Sequence, residues 1–329
     1  MFLMRYVCLE VSEEGLRRDL AESSVTLTEW TDHLKEAGMT VQDGKDFIMP
    51  SEGSIEALWI TDDPVRAREL LERGIPVLGL VSFEIEGRSF DGIAFLGYHL
   101  TEMEPDYLDR IFRRQKGLPW EILETERCLV RETVPSDAKA LYEIYAEPSV
   151  TQFMEDLPKD EATFDAWLSE YAKHVYGFLG YGIWTVCLKA TEVDAAQDVS
   201  VTEDKGVAED SEKPWDKKGS EVVIGRAGLT VREGFENPEL GFVIGKKWQG
   251  RGYAKEVCSA ILNYAGDLGI ERILAFAEME NEASKRLLRK LGFAKMDELI
   301  LDGRRCIQFL ADIKALGTAA PAWKRDGQF

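Results

Sequence analysis

Hydrophobic positions in the first 120 residues switch repeatedly between helical spacing and short continuous runs. Leu16–Ser23 and Leu27–Gly38 read as helices, Ala57–Thr61 as a buried strand, and Pro64–Gly74 as a helix opened by proline and closed by glycine. Pro76–Phe83 is a second apolar run of strand length. Strand, helix and strand in so short a stretch predict a βαβ unit, hence a parallel pair covered by helices. Ile93–Leu96 adds a candidate strand, and Pro105–Lys116 a helix stopped by Gly117 and Pro119. The pattern predicts a small α/β module over residues 1–122, bounded by Gly117–Thr125.

Further along, Tyr181–Lys189 and Val222–Arg232 are strand-like. The polar, acidic stretch 191–220 between them has neither helical nor strand periodicity and reads as an elongated, partly disordered hairpin loop, with Trp215 beside Pro214 as a possible anchor. Leu240–Ile244 then reads as a strand, Gln249–Ala254 as a glycine-rich turn, and Ala254–Leu268 as the helix that the turn opens.

The 329 residues are 45% hydrophobic and 30% charged, which fits about two globular domains. No apolar run approaches the roughly 18 residues of a membrane span. Met1–Val11 is broken by Arg5 and Glu10, too charged for a signal sequence, so a cytoplasmic protein without a membrane partner is expected. Cys8, Cys128, Cys187, Cys258 and Cys306 form no Cys-x-x-Cys pair, so neither a disulfide framework nor a metal site is expected. His33, His99 and His174 have no acidic or cysteine partner at ligand spacing.

The net charge is −20, and it is unevenly spread. Residues 1–125 hold 25 acids against 13 bases and residues 191–220 hold 9 against 4, leaving the rest nearly neutral. Such a field repels phosphate backbones, so no nucleic-acid partner is expected and a cationic small substrate or basic peptide is favoured.

Two places carry candidate chemistry. Asp62 and Asp63 follow the Ala57–Thr61 strand, where open α/β sheets bind ligands, and a pair of aspartates can hold Mg²⁺. The stretch Leu58–Gly79 is loosely similar to a strand–helix–strand unit of haloacid-dehalogenase-like phosphatases, but no Asp-x-Asp nucleophile precedes it. The simpler reading makes Asp62 a helix cap and Asp63 a first-turn charge.

The second place is Glu239–Phe293. A strand, glycine turn and helix make an anion seat, because backbone N–H groups converge at the positive end of the helix. Neither the Gly-x-x-x-x-Gly-Lys loop nor the full dinucleotide fingerprint is present. Gln249, Gly252 and Ala254 instead match the Gln/Arg-x-x-Gly-x-Gly/Ala signature, and the chain resembles GNAT-type N-acetyltransferases from about Cys128 to Ile313. Asn281-x-x-Ser284 with Leu291-Gly292-Phe293 is similar to that family's following helix. Glu239-Leu-Gly-Phe-Val-Ile ahead of the turn, with Ser284, resembles the branch containing ribosomal-protein alanine N-acetyltransferases, while the familiar helix tyrosine, near Leu288, is missing.

The resemblance implies an α+β acyl-CoA N-acyltransferase fold over residues 126–313, a mixed central sheet flanked by helices, with residues 314–329 as a tail. Leu129–Glu132, Asp137–Ala146 and Phe164–His174 would be its first strand and two helices. Gly182–Lys189 and Val222–Thr230 would form its central hairpin, Arg272–Glu278 its fifth strand, and Leu299–Leu301 with Arg304–Ala311 its closing hairpin. It implies acetyl-CoA as cosubstrate, with backbone groups of Phe242, Val243 and Ile244 on the pantetheine arm and the N–H groups of Gln249, Gly250, Arg251, Gly252, Tyr253 and Ala254 on the pyrophosphate. Arg251 and Lys255 could add charge; Asn281 could cap its helix while touching the cofactor.

Glu239 is the candidate base and Ser284, or solvent, the proton source for the leaving thiolate. Phe153, Trp167, Tyr176, Tyr181 and Trp184 gather where the family forms its acceptor pocket. The implied reaction is direct acetyl transfer to a primary amine of a small molecule or a protein N-terminus. The alternatives are an acyl-CoA sensor without turnover, and a bifunctional protein with a phosphatase-like first domain.

Overall fold

The computed structural model describes residues 2–21, 23–48, 56–81, 89–154, 160–179, 181–189 and 221–316, and divides the chain into two units, Met1–Trp120 and Glu121–Phe329. The first unit runs β1 (Tyr6–Glu10), α1 (Glu13–Ala21), α2 (Leu27–Glu36), β2 (Thr40–Asp43), β3 (Ala57–Thr61), α3 (Pro64–Glu72), β4 (Val77–Leu80), β5 (Leu96–Gly97) and α4 (Pro105–Gln115). Its five strands form a sheet in the order β2-β1-β3-β4-β5, parallel at every pairing.

The two-residue period of the strands explains why both faces are covered. Val7, Leu58, Ile60, Leu78 and Leu80 pack with Trp30 and Leu34 of α2 and Leu108, Ile111 and Phe112 of α4. Cys8, Ala57, Trp59 and Val77 turn the other way, onto Ala67 and Leu70 of α3. The βαβ unit is therefore β3-α3-β4, and β3 is buried at all five positions. Strands β1 and β2 were not expected from the pattern, and α1 begins at Glu13 rather than Leu16. The Asp pair is also placed differently from its simpler reading. Asp63 caps α3, its Oδ1 accepting from Val65 N at 2.9 Å, while Asp62 accepts from Ser12 N at 3.0 Å and from Ser12 Oγ at 2.5 Å.

The second unit runs β6 (Glu121–Glu124), β7 (Cys128–Arg131), α5 (Ala138–Tyr145), α6 (Pro148–Thr151), α7 (Glu161–Leu179), β8 (Ile183–Leu188), β9 (Val222–Thr230), β10 (Glu239–Ile244), α8 (Tyr253–Asp267), β11 (Arg272–Glu278), α9 (Glu282–Lys290), β12 (Ala294–Leu301) and β13 (Arg304–Asp312). The sheet order is β12-β13-β11-β10-β9-β8-β7-β6, antiparallel except where β10 meets β11. That one parallel pair is joined by α8, as a crossover between parallel strands requires.

On α8, Val257, Cys258, Ile261, Leu262 and Ala265 form one apolar face, packed with Trp184, Ala227, Leu229, Ile273 and Ala275 of the sheet. Ala138 and Leu141 of α5 pack with Phe164 and Leu168 of α7. Strand β12 is longer than the expected Leu299–Leu301, because Ala294–Glu298 are exposed edge residues with no apolar alternation. The segment 191–220 and the tail from 317 lie outside the described residues.

Candidate active site

The parallel junction is short. Among the described residues its single register pair is Glu239↔Leu274, with Leu274 N donating to Pro238 O at 2.8 Å. Past that point β10 keeps its antiparallel partner β9 through Ile244↔Gly225 but not β11. Gly245 N donates to Ile224 O at 2.8 Å, which fixes the alternation: odd-numbered residues of β10 turn their backbone groups to β9. Phe242 therefore presents its N–H and C=O, and Ile244 its N–H, to the open side. Val243 faces Arg226 of β9, so its backbone does not reach that edge.

The turn that follows is built by two glycines in the left-handed region, Gly250 at φ 76° and Gly252 at φ 89°. Residues with a Cβ adopt this conformation at a cost, so glycine belongs here. Gly252 is the N-cap of α8 and has no side chain with which to cap it, and the first N–H groups of a helix have no partner within the helix itself. Gln249 works on the protein itself, its Nε2 donating to Ile244 O at 2.9 Å and tying the turn to the strand end. Arg251 and Lys255 are exposed, and the Arg251 guanidinium lies 5.5 Å from the Trp248 ring centroid.

Glu239 stands at the other end of β10, about 17 Å from Ile244 at the roughly 3.4 Å rise of a strand. Its side chain is 12% exposed and pairs with Arg232, Nε to Oε2 at 2.6 Å; Arg232 also reaches Asp302 at 2.8 Å. At the start of α9, Asn281 Oδ1 accepts from Ser284 N at 3.0 Å, a helix cap. Because β10 and β11 run parallel, α8 and α9 both begin at the same end of the sheet. Leu288, the position of the missing tyrosine, is packed in the core.

A family model described as "Acetyltransferase (GNAT) domain" matches residues 127–294. This chain belongs to the GNAT acetyltransferase family. An uncharacterized N-acetyltransferase of Bacillus subtilis, YoaA, is 27% identical over 179 residues, 53% of this chain and 83% of that protein. The ribosomal protein uS5 alanine N-acetyltransferase of Escherichia coli is 38% identical over 89 residues, only 25% of this chain and 46% of that enzyme. An acetyltransferase of the GNAT family from Bacillus anthracis superposes with a TM-score of 0.44 at 17% identity, covering 58% of this chain and 98% of its own.

In this GNAT domain the aromatic residues divide between two faces of the sheet. Trp184 is fully buried against Tyr264 of α8, with ring centroids 5.7 Å apart, and so lies away from the α5 and α7 side. Trp167, Tyr171 and Tyr176 of α7 form a row with centroids 6.0 and 5.8 Å apart. Against it sits Arg226, 2% exposed, its Cζ 4.9 Å from the Tyr171 centroid and its Nη2 donating to Ile183 O at 2.9 Å. Burial pushes the Tyr171 hydroxyl up to about 12, so it stays protonated. The Arg226 cluster was not legible in sequence, because strand β9 and helix α7 meet only through the fold.

The turn is also braced from a distant element. Thr125 Oγ1 donates to Glu256 Oε1 at 2.6 Å, Arg127 N to the same oxygen at 2.9 Å, and Arg127 Nε to Glu256 Oε2 at 2.8 Å. Burial works to raise the Glu256 carboxyl, but the hydrogen bonds from Thr125 and Arg127 outweigh it and hold the group below its ordinary range. A folded pKa below the unfolded one gives stability that is present above the unfolded value and lost as pH falls through the folded one. Acid titration of Glu256→Gln, followed by circular dichroism, is expected to show a shallower loss of stability between about pH 5 and 3 than wild type.

Proposed function

We propose that the second unit transfers an acetyl group from acetyl-CoA to a primary amine by direct attack in a ternary complex. The observation that carries this reading is the open edge of β10 leading into a helix start whose N-cap, Gly252, carries no side chain. Phe242 and Ile244 would pair with the amide-bearing arm of the cosubstrate, and the N–H groups of Gly252, Tyr253 and Ala254 would hold its pyrophosphate. Acetyl-CoA supplies the activated acyl group as a thioester. Gln249 would act indirectly, by holding the turn.

Glu239 accepts the amine proton in this reading, directly or through water. Arg232 keeps Asp302 as a partner when Glu239 becomes neutral, so the transfer does not strand a guanidinium. Ser284, half-buried at the start of α9, or solvent returns a proton to the leaving thiolate. A covalent acyl-cysteine route has little support. All five cysteines are buried, and burial pushes the thiols of Cys128 and Cys187 up to about 12, far from the thiolate needed for attack.

The acceptor classes this reading allows are small-molecule amines and protein N-termini, the second supported by the name of the Escherichia coli relative. A thiol-release assay with acetyl-CoA tests the reading against peptides with N-terminal alanine, free amino acids, polyamines and aminoglycosides. Amine-dependent thiol release with at least one class is expected. Tight acetyl-CoA binding with no release across the panel would turn the domain into a sensor, and absence of binding would remove the cosubstrate.

A further inference from the structure

Arg127 lies in the turn between β6 and β7, far in sequence from Gly250–Gly252, yet its side chain closes on that turn from outside. Nη1 donates to Arg251 O at 3.2 Å, in the residue between the two left-handed glycines. Nη2 pairs with Glu256 Oε2 at 2.7 Å, and the guanidinium lies 4.3 Å from the centroid of the Tyr253 ring. A Cβ placed on Gly252 would sit 3.5 Å from Nη2. The group is 27% exposed, so one side still faces solvent.

This arrangement answers an electrostatic difficulty. The positive start of α8 favours an anion, but Glu256 places a carboxylate within the first turn, close enough to oppose a dianion. A planar guanidinium that bonds Glu256 through both Nε and Nη2 cancels that charge and fixes the shape of the turn. We propose that Arg127 is a positioning residue for the phosphate seat: it neutralises Glu256 and clamps the Arg251 carbonyl so that the turn's N–H groups meet the pyrophosphate of the cosubstrate. The proposal rests on the acetyl-CoA reading above.

The test compares two thioesters that differ in phosphate. S-acetylpantetheine lacks the nucleotide and its pyrophosphate, while acetyl-CoA carries both. For wild type, acetyl-CoA should bind at least about tenfold more tightly by calorimetry. In Arg127→Met that preference is expected to fall at least about tenfold, through acetyl-CoA alone, with kcat at saturation nearly unchanged. Arg127→Lys should recover part of it, because the charge returns without the fork. Adding Glu256→Gln to Arg127→Met should also recover part, since the uncompensated carboxylate is gone.

Retained preference in a folded Arg127→Met protein would overturn the assignment while leaving the acetyl-CoA reading intact. Equal weakening of both thioesters would also overturn it, showing a general structural brace. A wild-type protein with no preference would mean that no phosphate seat exists, and both readings would fall. S-acetyl-dephospho-CoA, which keeps the pyrophosphate but not the 3′-phosphate, should behave like acetyl-CoA; if it behaves like S-acetylpantetheine, Arg127 does not serve the pyrophosphate.

Discussion

Glu239→Gln is expected to lower kcat at neutral pH by about 10²–10⁴, the usual worth of a positioned general base. An alkylammonium with a pKa near 10 is only about one part in a thousand neutral at pH 7, so the loss of a proton acceptor falls on the chemical step. The substitution keeps the shape of the side chain, and Arg232 retains Asp302, so the fold has no new unpaired guanidinium. Acetyl-CoA affinity should be unchanged, because Glu239 is at the far end of β10 from the glycine turn. Activity should recover in part toward pH 9 as free amine becomes available. A raised acceptor KM with kcat preserved would instead assign Glu239 an attractive role toward a cation. Wild-type values of both parameters from pH 6 to 9 would make it a bystander.

Gly252→Asp is expected to weaken acetyl-CoA by at least about tenfold, roughly 1.4 kcal/mol. Aspartate tolerates the left-handed region better than most residues, so the φ of 89° adds only modest strain. The larger effect is electrostatic. The introduced carboxylate faces the dianion and also competes for Arg127, whose Nη2 lies 3.5 Å from where the new Cβ would stand. Gly252→Ala serves as the control, with the strain but not the charge, and its loss should be smaller. Unchanged affinity in a folded Gly252→Asp protein would remove the turn from the site.

What could be read from the chain followed burial. Strand β3 is buried at all five positions and stands out as an apolar run, whereas β2, Thr40–Asp43, is a short edge strand in which Val41 is the one apolar residue, too little for a pattern. β6 lies within the boundary stretch Gly117–Thr125 and offers only two apolar residues between acidic ends, Glu121 and Glu124. The glycine turn was legible because its backbone conformation restricts residue choice, and Val222–Thr230 and Arg272–Glu278 match the observed strands β9 and β11. Side-chain partnerships were not. Arg127 and Glu256 are 129 residues apart, and Arg232 meets Glu239 only through the geometry of the β9–β10 hairpin. Val243 shows a subtler limit: strand identity was readable, but which backbone edge it presents depends on register.

The single bridge between β10 and β11 also divides the cooperativity of the sheet. Five strands lie on one side of it and three on the other, and each group is internally laddered. Amide exchange should therefore resolve two protection classes in the unliganded protein, with Phe242 and Ile244 among the faster amides of β10. A molecule spanning the open edge would act as a substitute strand, slowing those amides and merging the two classes into one unfolding unit. At a hundred times its Kd, such a ligand would add about 2.7 kcal/mol to the stability of the native state.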